Sequence, residues 1–113
     1  MGKRGWGRLT KVTDYETKFG CAGGIGILRE EVWADESGKA ARYNLAFLLP
    51  HRFRADNGRV LGFDNAHGVP ERHDHGVVTT ELYEGYEALA KRFFREMEEL
   101  RRHYDHEDSS RRH

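Results

Sequence analysis

The chain has 113 residues, of which 37% are apolar and 34% charged, and its 19 basic side chains balance 19 acidic ones. That length fits a single domain, 1–113, with a small core. Zero net charge argues against a protein that coats nucleic acid non-specifically, and no apolar run approaches the roughly 20 residues of a membrane span.

Residues 1–9 read as a basic, glycine-rich arm. The early segment is basic as well: Lys3, Arg4, Arg8, Lys11 and Lys18 stand against Asp14 and Glu16. It lacks the apolar stretch of a secretory signal. The segment from Thr10 to Phe19 has Val12, Tyr15 and Phe19 among polar residues, which suits a strand or an irregular stretch. Four glycines between Gly20 and Gly26 are expected to break any regular element. Cys21 is the one cysteine. An internal disulfide is therefore excluded, and a reducing, cytoplasmic setting is expected. With no activating neighbour in sequence, the thiol reads as buried or incidental.

Ile27–Ala34 reads as a strand, ended by the turn Asp35-Glu36-Ser37-Gly38. Ala41–Pro50 is the clearest strand, because Tyr43, Leu45, Phe47 and Leu49 alternate with other residues. Asp56-Asn57-Gly58 carries an Asn-Gly turn signal, and Arg59–Asp64 follows as a third strand. A fourth is expected over His75–Thr80, where Val77, Val78, Thr79 and Thr80 are β-branched. The last element is a helix. Leu82, Tyr86, Leu89, Phe93, Met97, Leu100 and Tyr104 recur at spacings of three and four, which makes an apolar stripe. Residues 105–113 are expected to fray. The fold class is therefore α+β: an antiparallel meander of about four strands, with one long amphipathic C-terminal helix packed on one face.

Three of the seven histidines fall between Gly62 and Gly76, together with Asp64, Glu71, Asp74 and Arg72. Histidine exchanges protons near neutral pH and also ligates metals. On an extended chain His73 and His75 share a face, with their backbone positions about 6.5 Å apart. That spacing suits two chemistries. One is a divalent ion held by His73 and His75 with His67 or a carboxylate from Asp64, Glu71 or Glu81. The other is metal-free RNA cleavage, in which histidines supply acid and base and an arginine steadies the phosphate. For the second, the candidates are His67, His73, His75 and Arg72, with Arg52, Arg54 and Arg59 as a substrate-binding group. Asp64 and Asn65 read as turn-shaping residues that bond nearby backbone.

Phe63-Asp64-Asn65, His67-Gly68 and His73-Asp74-His75 resemble a motif of the TumE-like toxins of bacterial toxin–antitoxin modules. The likeness spans about residues 27–102 and includes the strand and amphipathic helix that follow. Val69-Pro70-Glu71-Arg72 makes a longer loop than is usual there, and the first third of the chain has no counterpart. The resemblance implies a small toxin of ribonuclease type, neutralised by a cognate antitoxin protein. No resident cofactor is expected on this reading. A non-catalytic module that binds its partner through the open sheet face is the alternative, and an exposed strand edge would allow a homodimer.

Overall fold

The computed structural model describes residues 7–111. One antiparallel sheet runs in chain order: β1 (Thr10–Cys21), β2 (Gly24–Ala34), β3 (Ala40–Leu48), β4 (Arg59–Asp64), β5 (Glu71–Asp74) and β6 (Val77–Thr80). A single helix, α1 (Tyr86–Arg111), follows. The α+β meander is as expected, but it has six strands where about four were anticipated.

The two extra strands arise from pairing rather than from local pattern. β1 pairs with β2 from Thr10↔Ala34 to Cys21↔Gly24. Its side chains are mostly exposed, so no clean apolar alternation marks it in sequence. β5 has the polar sequence Glu-Arg-His-Asp and is extended because β4 and β6 hydrogen-bond it on both sides.

The glycine-rich segment, expected to break any regular element, instead turns the sheet. Ala22 and Gly23 have φ of 53° and 78°, and they join paired Cys21 and Gly24. Two successive residues at positive φ make the tight hairpin turn whose twist matches the flanking strands. His75 and Gly76 repeat the device between β5 and β6, with φ of 50° and 87°.

The register divides the sheet into two faces. Tyr43, Leu45, Phe47, Leu49, Leu61 and Phe63 face α1, where Leu89, Phe93 and Met97 complete the buried core. Phe93 meets Phe63 edge-on with ring centroids 5.6 Å apart. Between Leu48↔Arg59 and Phe47↔Leu61 the ladder slips by one residue. Val60 is the additional residue, and it is buried in the core beside Leu61. Such a bulge changes which face the preceding residues use. Arg59 consequently lies over Gly62 on the face away from the helix, where a Cβ on Gly62 would sit 2.5 Å from Arg59 Cδ.

Two expectations for the helix need correction. Leu82 precedes it and is 79% exposed; the chain turns at Gly85, φ 105°, before the first helical turn. Residues 105–111 are helical, not frayed. Asp105 accepts a hydrogen bond from the Ala22 amide at 2.8 Å, and Glu107 pairs with Arg52. These contacts fasten the end of α1 to the first hairpin and to the loop after β3. The basic arm expected over residues 1–9 falls largely on residues 1–6, which lie outside the described residues; so do 112 and 113 of the tail.

Candidate functional site

The histidine run is split by the sheet. β5 carries His73 into the open face, while the turn carries His75 toward the helix. The expected shared face fails at one torsion: His75 is in the left-handed region, φ 50°, so the alternation of an extended strand stops before it. Two polar centres result.

The first lies on the open face, where β4 and β5 end. His73 is only 7% exposed. Arg59 Nη2 donates to its Nδ1 at 3.0 Å. An arginine has only donors, so neutral His73 carries its proton on Nε2. That atom lies 3.0 Å from Asp64 Oδ2 and 3.7 Å from Glu71 Oε1, yet it makes no aligned hydrogen bond. Arg59 also holds both oxygens of Asp56, at 2.9 and 3.1 Å, and reaches Asp64 Oδ2 at 3.3 Å. The arginine is therefore committed to internal partners. His67, 77% exposed, reaches this centre only through Glu71, at 3.3 Å. The centre floors a hollow of about 300 Å³ whose walls include Trp33, Arg42, Asn44 and His67.

Asp64 and Asn65 build the corner beside it. Asp64 Oδ1 accepts the Ala66 amide at 3.1 Å. The Asn65 side chain imitates one more residue of strand: its Oδ1 accepts from the Tyr43 amide at 3.0 Å and its Nδ2 donates to the Ala41 carbonyl at 2.8 Å. It continues the ladder on β3 after β4 has ended.

The second centre lies at the helix side of the β5–β6 turn. Asp74 Oδ1 accepts from His75 Nδ1 at 2.6 Å. This leaves His75 Nε2 to accept from the Tyr104 hydroxyl at 2.7 Å. The bond from His75, with Arg72 beside it, holds the Asp74 carboxyl below the usual aspartate range, whereas burial pushes the Tyr104 phenol up. At neutral pH the Asp74 end of the chain is thus a carboxylate and the Tyr104 end a protonated phenol. Phe53 packs edge-on against the His75 ring, at 5.5 Å. Arg52 lies over the Tyr104 ring at 5.1 Å and has its Nη1 buried without a hydrogen-bond partner. Arg72 bonds Asp74 at 3.2 Å and Glu96 of the helix at 2.8 Å.

The candidate residues therefore separate. His75, Arg72 and Arg52 come together; His73, Arg59 and Asp64 come together on the opposite face, with His67 at their margin. Arg54 is exposed and, among the described residues, pairs with no member of either centre. Tyr104 was read from sequence only as part of the apolar stripe. Its hydroxyl could be matched to His75 only once the length of the helix and the fold of the turn were known. Comparison with protein-family models, curated proteins and solved structures finds no match to the chain.

Proposed function

We propose that this chain is the toxin component of a toxin–antitoxin module and cleaves RNA without a metal ion, with His75 as its acid–base group. The supporting observation is the chain Asp74–His75–Tyr104, closed by contacts of 2.6 and 2.7 Å. Asp74 fixes the imidazole tautomer, so Nε2 is the basic atom. In the reaction, Nε2 removes the proton of a ribose 2′-hydroxyl, directly or through the Tyr104 phenol. The 2′-oxygen attacks phosphorus and the bond to the 5′-oxygen breaks. That oxygen takes a proton back from the same relay, which leaves a 2′,3′-cyclic phosphate and a 5′-hydroxyl. Arg52, whose guanidinium lies over the Tyr104 ring, supplies positive charge that offsets the negative charge developing on the phosphate.

Incubation of the purified protein with a defined RNA tests this reading. The wild type is expected to leave cyclic-phosphate ends in the presence of chelator. His75→Gln should lower the rate by at least about a hundredfold, and Tyr104→Phe should lower it less. Equal cleavage by wild type and His75→Gln, or none by the wild type, would reject it.

An interaction module is the second reading, and one observation favours it: all four residues of edge strand β6 are exposed, including Val77 and Val78. A partner strand could add to that edge. In this case His75→Gln would leave partner binding intact, whereas proline at Val78 would weaken it.

A further inference from the structure

We propose that Asp64, Glu71 and His73 form a binding site for one divalent cation of the manganese or zinc class, on the sheet face opposite the His75 relay. The inference does not depend on the RNA-cleaving reading. One ligand atom from each of the three residues lies within 4.8 Å of the others. The separations from His73 Nε2, 3.0 Å to Asp64 and 3.7 Å to Glu71, bracket the edge of a tetrahedral coordination shell. With metal–ligand bonds of about 2.0 Å that edge is about 3.3 Å.

The decisive atom is His73 Nε2. It is buried, points between two carboxylate oxygens and has no aligned hydrogen bond. A buried polar atom in that position calls for a partner. A cation at the centre of the three donors satisfies all of them at once, which a single bent N–H does not. Arg59 pairs with Asp56 and Asp64, whereas Glu71 faces the imidazoles of His67 and His73. One imidazole with two carboxylates suits borderline ions better than calcium or magnesium.

Arg59 sets the condition for entry. Its Nη2 now donates to Nδ1 of His73, whereas a metal on Nε2 requires the imidazole hydrogen on Nδ1. Arg59 must therefore withdraw from the ring, and Asp56 already holds it through two bonds. Remaining coordination positions would open toward the hollow that His67 and Asn44 help to line. His67 stands 3.3 Å from Glu71 Oε1 and can swing in as a further ligand.

Titration of the full chain with manganese chloride, followed by NMR of the imidazole protons, tests the site. One ion per chain is expected, with strong paramagnetic broadening of His73 and weaker broadening of His75 and His103. Glu71→Gln, which keeps the size of the side chain, should weaken binding at least tenfold; circular dichroism checks that it folds. A double variant His103→Ala/His106→Ala should bind as the wild type does. Absence of binding, unchanged affinity in a folded Glu71→Gln, or broadening centred on the helix histidines would overturn the proposal. Because the first measurement uses the unaltered chain, a variant that fails to fold does not remove the test.

Discussion

At the scale of single residues, short polar side chains do structural work that larger ones could not. Asn65 closes the open end of a ladder by donating and accepting at once. Asn65→Ala leaves the Tyr43 amide and the Ala41 carbonyl without these partners, and the expected loss is about 1–3 kcal/mol. Urea unfolding of the variant measures it, and a loss below about 0.5 kcal/mol would show that water replaces the amide. The Asp-Asn step was legible in sequence as a turn feature. Its reach across to β3 was not, because that depends on where β4 stops relative to its neighbour. Arg59 illustrates the same limit. In sequence it belongs with Arg52 and Arg54 as a positive group for substrate. In the fold a one-residue bulge at Val60 turns it onto the open face, where Asp56, Asp64 and His73 occupy its donors.

At the scale of elements, hairpins and the helix end are mutually dependent. The helix stripe from Tyr86 to Tyr104 was readable because a period of three and four is a local property. Its continuation to Arg111 was not, since residues 105–111 carry no apolar stripe. Those turns are secured by tertiary contacts: Asp105 on the Ala22 amide and Glu107 on Arg52. Asp105→Ala should therefore release the first hairpin from the end of α1. Hydrogen exchange at the Ala22 amide is expected to quicken several-fold, with a stability loss of about 1 kcal/mol. Unchanged exchange there would mean that the turn alone protects the amide. The glycine-rich segment shows the opposite error. Glycine was taken as a breaker, but a two-residue turn with both φ positive is what glycine makes easy, and the strands on either side pair up to it.

At the scale of the whole molecule, ionisation links the two sheet faces to stability. Asp74 and Glu31 have carboxyl groups below their ordinary range, Asp74 chiefly through its bond with His75 and Glu31 chiefly through Lys11. A carboxylate favoured by the fold stabilises it above the unfolded value, and that contribution disappears as pH falls through the lower folded value. Burial raises the phenols of Tyr43, Tyr86 and Tyr104. They favour the fold below about pH 10, and above it the unfolded chain ionises first. Urea midpoints from pH 2.5 to 11 should therefore form a plateau that drops below about pH 4 and above about pH 10. Asp74→Asn should flatten part of the acid limb. An acid limb unchanged in that variant would remove Asp74 from the account.

The sequence by itself determined the class of fold, the clearest strands, the amphipathic helix and the density of titratable groups between Gly62 and Gly76. These follow from local periodicity and composition, which need no knowledge of distant residues. Tertiary structure alone decided which of those groups meet. The left-handed conformation at His75 and the extra residue at Val60 each reverse the face that simple alternation assigns. Through them one histidine run becomes two centres: His75 with Tyr104 against the helix, and His73 with Asp64, Glu71 and Arg59 on the open sheet.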